Sequence, residues 1–356
     1  MEGEVGNFIV VWKVVFACLL YSYTIGKLIP EGTTRLLALT IVTCLFLWFP
    51  LNLTTMHLGG LTSFFISWLA NFKLLLFAYG KGPLSSNPRI PLSRFILMAC
   101  LPIKITSTNS RSEKSIQETK KKVKKLSLVK LMLFVMLLKA YDFNQYIHPK
   151  VRMSLYCFHI YFMLEIVLAM VAYVARTVGQ MELEPQFDEP YLATSLQDFW
   201  GKRWNLMVTS ILHPTVYHPL HTISSRWMSR KRASLVSVFI TFLVSGLMHE
   251  FIFYNIGRLK PTGEVTCFFL LHGVLVSIEV YIKRVVKGRL HLPAIVSRPL
   301  TLGCVLATCF WLFFPPFLRF EPYIRGCQES VAFFEFVTTG RLVSSSNASC
   351  PYVLLS

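Results

Sequence analysis

The sequence predicts an all-α polytopic membrane protein, a bundle of about seven to nine transmembrane helices. Three observations predict it. Apolar residues make up 54% of the chain and charged residues only 15%, where a water-soluble protein carries roughly a quarter charged. The mean hydropathy is +0.52. Apolar runs long enough to cross or nearly cross a bilayer recur from end to end.

In chain order these runs fall at 8–25, 35–51, 61–79, 91–103, 126–141, 153–175, 235–256, 265–283 and 296–318. The run 91–103 is short and reads as re-entrant or half-buried. No period of 20–50 residues repeats, which excludes a solenoid, and the whole chain, 1–356, reads as a single domain. The start, Met1 to Gly6, has two glutamates and no basic region, so the first run reads as a retained span.

The net charge is +18, from 36 Lys and Arg against 18 Asp and Glu. The basic residues sit in short connections between apolar runs, a pattern that fits anionic headgroups and cytosolic loops and argues against nucleic acid. Residues 104–125 hold eight Lys or Arg and read as a basic cytosolic loop. Residues 284–298 add Arg284, Lys287, Arg289, His291 and Arg298 on the same side. The nine cysteines contain no C-x-x-C pair and lie mostly in apolar runs. They read as small buried hydrophobes, neither a disulfide framework nor a zinc site.

The segment 182–214 differs from the other connections. It opens with Glu182, Glu184, Asp188, Glu189 and Asp198. Thr194 with Gln197 three residues on predicts a helix start, and Pro214 predicts its end. Leu196, Phe199, Trp200, Trp204, Val208 and Ile211 fall on one side, and tryptophans beside Lys202 and Arg203 suit a helix in the membrane interface. The following HPTVYHPLH brings His213, His218 and His221 close in sequence. Two prolines and the lack of an acidic or thiolate ligand predict a turn there, and no metal is expected.

Polar groups inside apolar helices are costly, so they are the natural candidates for chemistry. His249 and Glu250 lie within the run 235–256. Ser245 and Gly246 sit one turn earlier on the His249 face, and Gly246 leaves room beside the imidazole. A neutral imidazole in a dry site can take a proton from a hydroxyl; a structural histidine between helices is the alternative. His272, with Glu279 seven residues on, is a rival of the same kind or part of a structural polar seam. Asn205 closes the stretch QDFWGKRWN, where an amide can bind a carbonyl or orient another group. No P-loop, dinucleotide fingerprint or G-x-S-x-G elbow is present.

The segments PQFDEPYLATSLQDFWGKRWNLMV, LVSGLMHEFIFY and TCFFLLHGV, with the earlier HLGGLTSFFISWLANFKLLLFAYGKGPLSS, together resemble plant wax synthases. These are long-chain-alcohol O-fatty-acyltransferases of the membrane-bound O-acyltransferase superfamily. The resemblance implies an Asn and a His carrying the chemistry, here Asn205 and His249. It also implies a fatty acyl-CoA co-substrate, a long-chain fatty alcohol or other lipid alcohol as acceptor, and residence in the endoplasmic reticulum membrane. Similar motifs occur in plant sterol acyltransferases and diacylglycerol acetyltransferases, so sterol and diacylglycerol stay open as acceptors. A lipid transporter, a non-enzymatic alternative, leaves the paired motifs unexplained. With an internal catalytic tunnel, Trp200, Lys202, Arg203, Trp204, Ser245, Glu250 and His272 become candidate substrate contacts, with Lys202 and Arg203 facing the CoA phosphates. No further cofactor is expected.

Overall fold

A bilayer offers no water to satisfy backbone groups, so a chain this apolar must close its hydrogen bonds within helices. In the computed structural model, which describes residues 2–85, 90–102, 129–179, 186–286, 292–340 and 343–344, every regular element is helical. The helices are α1 (Glu2–Leu28), α2 (Thr33–Trp48), α3 (Met56–Ala78), α4 (Leu92–Cys100), α5 (129–140) and α6 (Pro149–Gly179). After the motif segment come α7 (206–224), α8 (Arg230–Gly257), α9 (Glu264–Val285), α10 (Ala294–Leu318) and α11 (Pro322–Thr339). Two compact units form: Met1–Pro102 with Asp188–Ser356, and Ile103–Phe187.

Seven helices among the described residues are long and apolar enough to span a membrane, and the chain is a multi-pass membrane protein. They match seven of the nine expected runs. The run 91–103 forms only the nine-residue α4, about 14 Å long and too short to cross. The run 126–141 is described from residue 129 and is helical to 140. The loop 104–125 lies outside the described residues.

In the first unit α3 is the central element, with 83% of its apolar window buried against 17–33% in the other spans. Its polar residues face neighbours. Ser67 Oγ donates to the Phe46 carbonyl at 2.8 Å, and Asn71 Nδ2 donates to the Thr43 carbonyl at 3.2 Å. Fully buried Lys73 donates to the carbonyls of Met98 (2.7 Å) and Leu101 (2.5 Å), where α4 ends. A cation among the free carbonyls of a helix C-terminus satisfies both partners.

The same device recurs around this unit. Arg35 donates to the carbonyls of Gly26, Ile29 and Phe77, and Arg258 to those of Pro50, Leu51 and Leu53. Carboxylates take the opposite ends. Glu4 accepts from the amides of Thr54 and Thr55, and Glu329 from those of Met56 and His57, where α3 begins. In the second unit Lys130 of α5 pairs with Glu165 of α6 at 2.6 Å. Among the described residues seven cysteines are free, as small hydrophobes outside a disulfide framework would be, and Cys327 is disulfide-bonded.

The motif segment departs from the expected single helix. Ser195, one residue later than expected, is the cap: its Oγ accepts from the Asp198 amide while Asp198 accepts from the Thr194 amide. A π-helical turn, Phe199–Arg203, follows, and the chain breaks at Asn205, which adopts a left-handed conformation with φ 44°. The helix then restarts as α7 and passes through Pro214 to Ser224. The wide turn His213–Tyr217 absorbs the missing proline amide. The expected turn at HPTVYHPLH is therefore helical, and the rings of His213, Tyr217 and His221 stack at spacings of four residues.

Candidate active site

His249 lies two turns from the C-terminal end of α8 and is partly buried. Its Nδ1–H donates to the Ser245 carbonyl at 2.7 Å. A carbonyl can only accept, so a proton sits on Nδ1, and in the neutral imidazole Nε2 then carries the lone pair. Ser245 thus enters the site through its backbone, orienting the ring. Three aromatic side chains surround the imidazole: Phe269 with centroids 4.3 Å apart, and Trp68 and Phe313 at 6.3 Å each. Trp68 and Phe313 both sit on π-helical turns, Ser63–Ala70 in α3 and Cys309–Phe313 in α10. Such turns shift side-chain register and are common at functional sites.

The space that Gly246 leaves beside His249 is filled by α9. A Cβ there would lie 3.0 Å from the Thr266 Cα and 3.2 Å from the Phe269 Cβ. Glu250, expected among the substrate contacts, accepts from the Thr266 amide at 3.1 Å in the first turn of α9. A carboxylate is favoured at that end of a helix.

His272 is fully buried and engaged at both ring nitrogens. Trp200 Nε1–H donates to its Nδ1 at 3.1 Å, and its Nε2–H donates to Thr308 Oγ1 at 2.9 Å. Two turns of α9 further along, Glu279 accepts from the Leu196 amide at 2.8 Å and pairs with Lys283 at 2.5 Å. The motif segment hangs on α9 from these two posts, the polar seam left open by the sequence. Trp200 also packs on Phe269 at 5.9 Å, joining the motif to the His249 enclosure through one ring. Trp204 stacks on Phe199 at 5.5 Å.

Asn205 lies beyond this seam. Asparagine tolerates the left-handed conformation better than most residues, and its Oδ1 accepts from the Val208 amide at 3.4 Å. Its Nδ2 makes no hydrogen bond among the described residues. No hydrogen bond links Asn205 to His249; within the motif it is Trp200 that reaches the His249 enclosure, through Phe269. Lys202 is exposed. Arg203 instead donates to Asp198 Oδ2 at 2.8 Å and to the carbonyls of Asp188 and Glu189. Burial pushes the Asp198 carboxyl up, but the Arg203 and Thr194 hydrogen bonds and the nearby Arg203 and Lys202 charges outweigh it, holding the group below the usual carboxylate range. A lowered folded pKa means this stability is complete above the ordinary value of about 3.9 and is lost as pH falls through the folded one. Asp198→Asn is expected to cost about 1 kcal/mol at neutral pH and to flatten the acid side of a melting-temperature profile. An unchanged profile would refute the tie.

No cluster of three His, Cys, Asp or Glu among the described residues could hold a metal ion. The ring enclosure is what the sequence left hidden. Phe269 stood inside a quoted motif, but only the crossing at Gly246 brings it to His249.

Residues 183–271 match the family described as Membrane bound O-acyl transferase family, a stretch that contains Asn205, His249 and Phe269. The chain is 43% identical to acyl-CoA–sterol O-acyltransferase 1 of Arabidopsis thaliana, over 94% of this chain and 97% of that protein. It is 42% identical to the long-chain-alcohol O-fatty-acyltransferase of Simmondsia chinensis, over 94% and 96%. It is 44% identical to the probable long-chain-alcohol O-fatty-acyltransferase 3 of Arabidopsis thaliana, over 95% and 97%. With identity of this level along nearly its whole length, the chain belongs to the membrane-bound O-acyltransferase family and is an acyltransferase.

Proposed function

We propose that the protein transfers a fatty acyl group from acyl-CoA to the hydroxyl of a long-chain fatty alcohol, forming a wax ester at the endoplasmic reticulum membrane. The observation that carries this reading is the His249 tautomer. Its Nδ1–H is held by the Ser245 carbonyl, so Nε2 offers a lone pair inside an apolar ring enclosure. Similarity to relatives named long-chain-alcohol O-fatty-acyltransferases supports the acceptor.

In the step proposed, the alcohol gives its proton to His249 Nε2 as its oxygen attacks the thioester carbonyl. The C–S bond breaks, the ester C–O bond remains, and the proton passes from His249 to the departing CoA sulfur. General-base help of this kind contributes about 10² to 10⁴ in rate. Asn205 Nδ2 is the candidate donor to the thioester region or the acceptor. Exposed Lys202 is the candidate contact for the CoA phosphates. An internal tunnel would admit the alcohol from the bilayer and keep CoA in the cytosol. A sterol acceptor is the second reading, favoured by the similarity to a relative named for sterol acylation.

The test uses microsomes from yeast without its own neutral-lipid acyltransferases. They receive labelled acyl-CoA with equal fatty alcohol, sterol and diacylglycerol. Label in wax ester is the expected result. Label in steryl ester or triacylglycerol would replace the acceptor.

A further inference from the structure

Phe269 stands closer to the His249 imidazole than any other ring, at 4.3 Å and 32° from parallel. Two further walls come from other helices: Trp68 from α3 and Phe313 from α10, with Phe269 and Phe313 6.4 Å apart. Phe269 and Trp68 cannot easily turn aside. Phe269 is 4% exposed and Trp68 2%. The Phe269 Cβ is fixed where α9 meets α8 at Gly246, and Trp200, itself tied to His272, backs the ring at 5.9 Å.

We infer that Phe269 sets the width of the acceptor at its hydroxyl end, passing alcohols whose carbinol carbon is a chain terminus and rejecting those whose carbinol carbon belongs to a ring. The inference rests on the acyl-transfer reading above, with His249 Nε2 as the base. A primary alcohol brings one methylene behind its oxygen. A fused-ring alcohol brings two ring branches from the carbinol carbon. Phe269 lies over one face of the imidazole, 32° from parallel, so a second branch turned toward that face as the oxygen reaches Nε2 would meet the ring. The ring therefore acts by exclusion, the device by which a pocket separates acceptors of similar polarity. It also gives the FWGKRWN motif a part in selectivity, because Trp200 prevents Phe269 from retreating.

The test compares hexadecanol with cholesterol as acceptors for labelled palmitoyl-CoA, in purified wild-type protein, Phe269→Ala and Phe269→Leu. Phe269→Ala is expected to raise the cholesterol-to-hexadecanol ratio of kcat/KM at least about tenfold, the scale set by a few methylenes in a pocket. The gain should lie in cholesterol kcat, and Phe269→Leu should shift the ratio less in the same direction. If the alanine variant does not fold, the leucine variant decides. Ratios within about twofold of wild type in a protein that still esterifies hexadecanol would overturn the role of Phe269 alone. A wild-type preference for cholesterol would overturn the fatty-alcohol acceptor itself, a separate failure visible before any variant is made.

Discussion

His249→Ala is expected to abolish ester synthesis, lowering turnover by at least about 10² to 10⁴, while the protein stays folded and inserted. The ring makes one hydrogen bond, to a carbonyl on its own helix. Losing it strands little, because the Ser245 carbonyl keeps its place in α8. The packing loss against Phe269, Trp68 and Phe313 is a cavity beside a partly exposed residue, at the low end of the 2–5 kcal/mol range of core truncations. Stability and turnover should therefore separate. His249→Gln sharpens the test, since an amide of similar reach cannot take a proton. Both variants would be purified in detergent, their melting temperatures compared with wild type, and single-turnover acyl transfer measured. Full turnover by a folded His249→Ala protein would remove the base from the mechanism.

The opposite outcome is expected for the second intramembrane histidine. His272→Ala should cost about 3–5 kcal/mol of stability, from a core cavity and an orphaned donor together. Trp200 Nε1 can only donate, and its acceptor is His272 Nδ1. Thr308 fares better, because its hydroxyl also donates to the Cys304 carbonyl at 2.8 Å. The expected readout is a melting temperature lowered by several degrees and total activity that falls with the folded fraction. His272→Gln, able to offer an acceptor to Trp200, should recover part of the loss. A His272→Ala protein that melts like wild type but turns over no substrate would exchange the roles assigned to the two histidines.

The two histidines also mark the limit of what the sequence discloses. The seven spans were legible because bilayer thickness dictates run length, and each span is a local property of contiguous residues. His249 was legible as an ionisable group inside such a run. Its neighbour His272 looked the same, because the difference between them lies in partners 72 and 36 residues away. The motif segment misled for a related reason. Continuous apolar spacing from Leu196 to Ile211 hides the break at Asn205, which the restart of α7 requires. Pro214 reads as a stop only if helices are uniform, and a π turn relaxes that condition. The cap fell at Ser195 instead of Thr194 because Asp198, not Gln197, completes the reciprocal pair.

The charged side chains that close helix ends in the first unit also impose a timetable on synthesis. Arg258 serves the carbonyls of Pro50, Leu51 and Leu53 across more than 200 residues of chain. Arg325 reaches the Thr54 carbonyl and Glu329 the Met56 amide across 271 and 273 residues. At about 5–20 residues per second, the α2–α3 connection waits roughly 10–55 s between leaving the ribosome and meeting its partners. During that interval Glu4 can already hold the Thr54 and Thr55 amides. The carbonyls that Arg258 and Arg325 serve and the amides that Glu329 serves have only water, headgroups or a chaperone to satisfy them. A ribosome stalled before α8 would therefore release a nascent chain already threaded through the bilayer yet unfinished at its first bend. Quality control in the membrane would have that bend to recognise.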